Sequence, residues 1–196
     1  MTDEEIRAAT VGEPHVLGGT IELRESDPVW PGRFTREAAR IAAVLGERAL
    51  RIEHIGSTSV PGLAAKPIID VLLVVAAAGD EAAYVDALEA GGYVLRIRES
   101  DPEDHRMFKG PDTDVNLHVL SQGSPEIERY VRFRDRLRES RTDRERYERA
   151  KRGLAGKTWT YVQNYADAKS TVVEEILARA LDERHPESPS SEGAER

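Results

Sequence analysis

The stretch from Ile52 to Val75 constrains the fold of this chain more than any other part of its sequence. A short strand pattern ends at Ile55, a turn rich in glycine and hydroxyl side chains follows from Gly56 to Gly62, and Pro67 then opens a long apolar run. The length and the β-branched content of that run predict a strand that is buried on both faces. The two strands and the turn between them should therefore lie at the centre of the domain.

A single carboxylate, Asp70, interrupts the apolar run. A buried strand does not keep a bare carboxylate unless another group pairs with it or a cation is coordinated by it. Asp70 is therefore the first candidate for a catalytic or metal-binding residue. The alternative is a structural ion pair with a nearby cation such as Lys66, because buried charges usually have a partner.

The turn before the strand has the residue types of an anion site. Gly56 allows the backbone to approach a ligand closely, and Ser57 and Thr58 supply hydroxyl and N–H groups. A helical turn that begins there would point its N-terminal N–H groups at a phosphate. Serine and threonine are also ordinary helix caps, but a carboxylate on the next strand strengthens the ligand interpretation. A phosphate on the turn and a metal ion held by Asp70 could then meet.

Several blocks of this sequence resemble the GrpB family, which belongs to the nucleotidyltransferase-fold superfamily and also occurs fused behind dephospho-CoA kinase. The run H-I-G-S-T-S-V-P-G-L-A-A-K-P-I-I-D ends at Asp70 and closely matches the family signature. Further matching blocks are S-D-P-V-W-P-G-R-F (26–34), H-R-M-F-K-G (105–110), N-L-H-V (116–119), F-R-D-R-L-R (133–138) and Y-A-D-A-K (165–169). The resemblance covers roughly Ile21 to Leu181. It implies an α/β fold with a nucleotidyltransferase-like mixed β-sheet, flanked by helices and closed by an α-helical C-terminal segment.

The resemblance also implies a metal site, with one departure from the superfamily pattern. Such folds place two carboxylates at alternate positions of one strand, but this chain has Asp70 and then Leu72. A third carboxylate is common on a neighbouring strand, where the N-L-H-V block offers His118. We expect His118 to be a metal ligand, a general base or a phosphate contact, although side chains opposite an apolar row are often only solvated. Asp70 with His118 would suit Mg²⁺ or Mn²⁺, and Zn²⁺ is also compatible.

Lysines are the candidate partners of the phosphate groups. Lys66 lies between the turn and the buried strand, and Lys169 follows Tyr165 by one helical turn. Each could balance phosphate charge, or could be an ordinary surface lysine. Arg106 and Lys109 could also meet substrate anions.

The C-terminal third is expected to be helical. One helix begins at Ser124-Pro125, and a last long helix should run from Thr158 to about Leu181. Ten arginines lie between Arg129 and Arg152, interleaved with acidic residues. Mixed charge of this kind usually forms a solvated helix surface, and an RNA- or phosphate-binding face is the alternative.

Composition limits the remaining possibilities. The chain has 196 residues, a net charge of −8 and no cysteine, which excludes disulfides and thiolate chemistry and disfavours nucleic acid as the main partner. No apolar run is long enough to span a membrane and no leader is visible, so a cytoplasmic location is expected. We expect a flexible segment over 1–20, one domain over 21–182 and a disordered tail over 183–196. The oligomeric state is not encoded in any pattern of the sequence.

Two function classes follow. The first is a metal-dependent enzyme that uses a nucleoside triphosphate to transfer a nucleotidyl group to a small-molecule acceptor. A variant of it activates a carboxylate by adenylylation and then forms an amide. The alternative, motivated by Leu72, is a non-catalytic module that binds a nucleotide or a CoA-like ligand.

Overall fold

The computed structural model describes residues 1–99, 104–111 and 114–182. Within these ranges the chain forms seven α-helices and seven strands. In chain order they are α1 (Asp3–Ala9), β1 (Val16–Gly19), α2 (Val29–Leu45), β2 (Arg51–Ile55), β3 (Ile69–Val75), α3 (Val85–Ala90), β4 (Val94–Arg98), β5 (Arg106–Lys109), β6 (Val115–Ser121), α4 (Pro125–Glu139), α5 (Arg141–Ala155), β7 (Trp159–Tyr161), α6 (Val162–Asp167) and α7 (Ser170–Asp182).

Five of the strands form one mixed sheet with the order β2-β3-β6-β5-β4. The central pair, β3 and β6, is parallel, whereas the other three pairs are antiparallel. The register places Asp70 beside Asn116 and Leu72 beside His118. The expectation of an α/β fold with a mixed sheet flanked by helices is confirmed.

Both faces of β3 are covered, as the apolar run predicted. On one face Val71 and Leu73 belong to the main core, to which α2 contributes Trp30 and Ile41. The opposite face carries a smaller cluster that joins the sheet to α4; its buried members are Ile55, Leu72, Val74, Leu120 and Ile127. Only the first part of this second face, at Asp70, remains partly open.

The turn between β2 and β3 is a single 3-10 turn over Ser57–Ser59 rather than the start of an α-helix. The hydroxyl of Thr58 donates to the carbonyl of Ile68 at 3.1 Å and lies 3.1 Å from Nε2 of His54. The side chain of Thr58 therefore ties both ends of the turn to the flanking strands.

The predicted helix over Thr158 to Leu181 is wrong as one continuous element. The aromatic and β-branched run Trp159–Tyr161 forms β7 and pairs with β1, and the chain breaks again between α6 and α7. Strand propensity and a partner strand override the helical spacing of the apolar residues. The segment 1–20, expected to be flexible, contains α1 and β1, so its separation from the domain stays a prediction.

The expected disordered tail over 183–196 lies outside the described residues. No helix in the described ranges is both long and apolar enough to span a membrane.

Candidate functional site

Asp70 is the second residue of β3, and its carboxylate is the centre of the site. Asn116 of β6 donates its side-chain N–H to Oδ1 at 2.8 Å. His118 Nε2 lies 3.8 Å from the same oxygen, which is an ion-pair distance but too long for a hydrogen bond. The Asp70 side chain is 28% exposed. The carboxylate therefore borders open space while one oxygen is held by the protein.

Gly56 packs directly against this carboxylate. Its φ of +67° is unfavourable for residues with a side chain, and a Cβ at this position would overlap Asp70 Oδ2 and lie 2.9 Å from Asp70 Cβ. Glycine is thus required both by the backbone conformation and by contact with the carboxylate. The turn and Asp70 form one unit, as their combination in the sequence suggested.

The electrostatic surroundings keep Asp70 ionised. Burial alone would raise its pKa, but His118, Asn116 and Lys66 outweigh that effect, and the pKa of Asp70 lies below its usual value. Lys66 lowers the pKa of Asp70 by the electrostatic effect of its charge at a distance. In the part of the chain that the structure describes, the two side chains form no ion pair.

Four lysines from different parts of the chain gather around Asp70 and Ser57. We call Lys66, Lys109, Lys151 and Lys169 the lysine cluster. Burial is the first cause that lowers the pKa of each, to about 8 for Lys66 and about 7 for Lys151. Lys66 and Lys151 are also each lowered by Lys169. Across the described residues no member of the cluster forms an ion pair with a carboxylate.

Lys151 was not singled out by the sequence, yet it is the most buried member, with 2% exposure. Its Nζ donates to Ser57 Oγ at 3.1 Å and to the carbonyl oxygen of Ala64, and it lies 4.9 Å from the centre of the Tyr147 ring. Burial raises the pKa of Tyr147 to about 12, against a smaller opposing effect of its hydrogen bond with Ser57. The signal that could have found Lys151 is its place in the four-residue buried spacing Tyr147, Lys151, Ala155 of α5.

The other lysines reach the same region by different routes. Lys109, on β5, donates to Asn116 Oδ1 at 2.7 Å and so supports the amide that holds Asp70. Lys169 follows α6 and lies 4.5 Å above the Tyr165 ring. The buried hydroxyl of Tyr165 has no hydrogen-bond partner among the described residues. Arg106 is paired with Glu81 at 2.6 Å and lies on the opposite face of the sheet from Lys109.

His118 is in contact with a second histidine. His105 Nε2 lies 3.0 Å from His118 Nδ1, and the two rings stack with their centres 5.2 Å apart. His105 Nδ1 in turn lies 2.7 Å from Oε2 of Glu99. A continuous hydrogen-bonded row thus leads from Glu99 to His118, whose other nitrogen faces Asp70.

Two further side chains beside the site are enclosed by packing rather than open to a ligand. His54 stacks on Phe34 of α2, with ring centres 4.7 Å apart, and burial lowers its pKa to about 4. Leu72, where a second carboxylate would be needed, is fully buried beneath α4. A two-carboxylate arrangement on β3 is therefore excluded by packing as well as by sequence.

The residues present can hold one cation only in part. In the described ranges no group of three or more acidic, histidine or cysteine side chains is arranged to bind a metal. Asp70 Oδ1 and His118 Nε2 are 3.8 Å apart, whereas two ligand atoms each at about 2.1 Å from one Mg²⁺ can be at most about 4.2 Å apart. The separation lies within that limit, so these two side chains would supply at most two of the ligands that a divalent ion needs.

This chain is an α/β protein with a mixed sheet flanked by helices. Its candidate site combines a glycine turn with the carboxylate of a central strand. The family model described as GrpB protein matches residues 20–179. The chain belongs to the GrpB family.

Known relatives extend over nearly the whole chain. The UPF0157 protein of Halalkalibacterium halodurans is 59% identical over 179 residues, which cover 91% of this chain and 92% of that protein. The UPF0157 protein of Streptomyces coelicolor is 44% identical and covers 87% of this chain and 88% of its own. The crystal structure of GrpB from Enterococcus faecalis, 32% identical, matches 83% of this chain and 99% of its own with a TM-score of 0.69.

A partial match connects this chain with a longer protein. The dephospho-CoA kinase of Mycolicibacterium paratuberculosis is 42% identical over 78 residues, or 37% of this chain and 19% of that protein. This agrees with the fusion that the resemblance implied. A chain of the GLD-2/RNP-8 complex, at 13% identity and a TM-score of 0.48, is too distant to bear on function.

Proposed function

We propose that this chain is a metal-dependent, nucleotidyltransferase-like enzyme that uses a nucleoside triphosphate on a small-molecule acceptor. The observation that carries the proposal is the gathering of the lysine cluster around Ser57, beside a carboxylate and an imidazole that face the same space. Cations without anionic partners, next to two ligand atoms suited to one divalent ion, are what a metal-bound polyphosphate requires.

The lysine cluster supports the phosphate part of the proposal. Burying an ammonium group without a partner costs free energy, and the lowered pKa values of Lys66 and Lys151 express this cost. A bound polyphosphate would restore full protonation and offset the cost. Gly56, Ser57 and Thr58 would place the phosphates on the turn, with Lys66, Lys151 and Lys169 around them.

Asp70 and His118 would hold the divalent ion. Mg²⁺ and Mn²⁺ fit a carboxylate oxygen that shares the ion with phosphate oxygens, and the imidazole also admits Zn²⁺. When bound, the ion would neutralise charge on the phosphates. Because these two side chains leave most of the coordination shell open, we expect tight metal binding only together with the triphosphate.

The transfer itself needs little covalent chemistry from the protein. The acceptor oxygen forms a bond to the α-phosphorus, the bond from that phosphorus to the bridging oxygen breaks, and pyrophosphate leaves. The chain's residues would align the triphosphate and neutralise the charge of the leaving pyrophosphate. If the acceptor is a carboxylate, the product is an acyl adenylate, which an amine can convert into an amide with release of the nucleotide. Such a substrate agrees with the cytoplasmic location expected from the sequence.

The alternative function is a non-catalytic module that binds a nucleotide or a CoA-like ligand. The burial of Leu72 favours it, because the chain lacks the second β3 carboxylate that two-metal catalysis uses. The lysine cluster would bind the phosphate groups of such a ligand equally well.

A thermal-shift experiment separates these possibilities. Nucleotides at about 100 times their dissociation constant should add about 2.7 kcal/mol of stability, or a rise in Tm of roughly 5–10 °C for a domain of this size. We expect the rise with triphosphate plus Mg²⁺ or Mn²⁺ and expect it to vanish in Asp70→Asn. The exposed Asp86→Asn is the matched control.

Each outcome has a distinct meaning. A rise that needs no metal, with no loss of triphosphate on incubation, would favour the binding module. No rise with any nucleotide, in a protein that melts cooperatively, would contradict the nucleotidyltransferase function and leave a binding module for a different ligand.

A further inference from the structure

We propose that His105 and Glu99 are positioning residues which hold the neutral form of His118 with its ring proton on Nδ1, so that in this form the lone pair of Nε2 faces Asp70. The inference deepens the proposed function. Its claim about the ring proton can be tested without substrate, whereas its claim about metal affinity rests on the proposed function.

The row starts from a fixed carboxylate. The backbone N–H of Glu99 donates to the carbonyl of His105 at 2.9 Å, and the carbonyl of Glu99 accepts from Arg106 Nη1 at 2.6 Å. The first contact extends the β4–β5 pairing by one step, and the second anchors the Glu99 backbone to the side chain of Arg106. The Glu99 side chain is thereby placed against His105 by the sheet itself.

The direction of each hydrogen bond follows from which groups can donate. An ionised carboxylate only accepts, so Nδ1 of His105 must donate to Glu99 across the 2.7 Å contact. A neutral imidazole has one N–H, so Nε2 of His105 accepts. The 3.0 Å contact then requires Nδ1 of His118 to donate. When the His118 ring is neutral, its Nε2 is then left with the lone pair, whereas a protonated ring would carry a proton on both nitrogens.

The opposite arrangement is disfavoured by the same geometry. If His105 donated from both nitrogens it would be a cation on a ring that is only 16% exposed, with the Arg106 guanidinium next along the strand. His118 would then carry its proton on Nε2, which is 3.8 Å from Asp70 Oδ1 and beyond hydrogen-bond reach. A lone pair that faces a carboxylate at this separation instead leaves space for a shared cation.

This assignment narrows the three roles considered for His118. An unprotonated Nε2 can coordinate a metal ion or accept a proton, but it cannot donate a hydrogen bond to a phosphate oxygen. Histidine ligands of metals usually donate their other N–H to a fixed acceptor, and loss of that acceptor weakens metal binding by roughly 10–100-fold. His105 is such an acceptor for His118.

The first test reads the ring proton directly in the ligand-free protein. Long-range ¹H–¹⁵N correlation spectra of ¹⁵N-labelled protein distinguish the two neutral forms of each of the five histidines. We expect both His105 and His118 to be protonated on Nδ1. Neutral His118 protonated on Nε2 in the folded wild type, at a pH high enough for both rings to be neutral, would overturn the inference.

The second test removes the acceptor but keeps the ring. His105→Phe can retain the stacking on His118 but cannot accept its proton, and the exposed His15→Phe is the control. We expect His118 in His105→Phe to shift toward protonation on Nε2, and Mn²⁺ affinity, measured by electron paramagnetic resonance, to fall by roughly 10–100-fold. Glu99→Gln should produce a smaller shift in the same direction.

The ring-proton spectra test the positioning role of His105, and the Mn²⁺ titration tests the metal site of the proposed function. If His118 stays protonated on Nδ1 in folded His105→Phe, His105 does not position it and the inference fails. If the wild type shows the expected ring proton but binds no Mn²⁺ with or without triphosphate, the metal part of the proposed function fails and the positioning role of His105 stands.

Discussion

Two groups of positive charge in this protein are organised in opposite ways. Arginines of the C-terminal helices are paired with acids in what we call the arginine network, whose main pairs are Arg129–Glu174, Arg134–Glu53, Arg136–Asp143, Arg146–Glu175, Arg152–Glu148 and Arg179–Asp143. The lysine cluster forms no such pair among the described residues. In the described part of the chain, the lysine cluster is therefore the group whose positive charges are not paired with carboxylates and can pair with an anionic ligand.

The difference shows why net charge is a poor guide to partners. The chain carries −8 overall, yet the lysine cluster forms no ion pair with a carboxylate in the described ranges. Arginine suits structural pairing because its planar fork matches carboxylates, whereas lysine is a compact charge whose pKa responds to burial. The arginine network should support the fold, and the lysine cluster should reduce stability until an anion binds.

The largest effect is expected in the arginine network, at Asp143. This carboxylate is 3% exposed and is held by Arg136 at 2.6 Å and by Arg179 at 2.5 Å. Asp143→Ala should lower the free energy of unfolding by about 3 kcal/mol, because two partly buried guanidinium groups lose their partner. Urea unfolding would measure it. A loss comparable to that of an exposed substitution would show that the network is not structural.

The next effect is expected on ligand binding, at Lys151. Lys151→Met keeps the volume but removes the charge beside Ser57, and should weaken binding of a triphosphate with Mg²⁺ about 100-fold, or about 2.7 kcal/mol. Isothermal titration would measure it. Arg146→Met, on the exposed side of the same helix, is the matched control and should bind as the wild type does. Equal losses in both variants would contradict the contrast between the two groups.

A third prediction concerns pH. Because burial lowers the pKa of Lys151 to about 7, between about pH 7 and pH 10 the unfolded chain binds this proton and the folded ligand-free protein does not. Its contribution to stability therefore rises with pH. The difference in unfolding free energy between wild type and Lys151→Met should shift by about 2 kcal/mol in favour of the wild type from about pH 7 to pH 9. A pH-independent difference would mean that Lys151 keeps its proton throughout.

The smallest effect is expected at exposed pairs of the arginine-rich helices. Arg141 and Glu145 lie 2.7 Å apart with side chains 83% and 49% exposed. Arg141→Ala should change Tm by less than about 1 °C, because such pairs are screened by solvent. RNA affinity with a steep salt dependence, lost in this variant, would instead revive a nucleic-acid role for these helices.

The sequence predicted the sheet side of the site well and its helical side poorly. The resemblance to the GrpB family linked Asp70 with His118, and the register of β3 and β6 places both side chains on one face. Lys151 escaped notice because a lysine in a charged helix is usually exposed, and only tertiary packing decides that α5 turns it inward. The break at β7 was missed for a related reason: its partner strand, β1, lies at the other end of the chain.

The distances along the chain between touching groups have a consequence for how the site forms. Asp70 and Asn116 are 46 residues apart, and Ser57 and Lys151 are 94 residues apart. Contacts of such high sequence separation are slow to form, since long loops must close first. The binding region should therefore be among the last features to appear during refolding. Added triphosphate should slow global unfolding more than it speeds refolding, because it recognises an arrangement that the folding transition state does not yet contain.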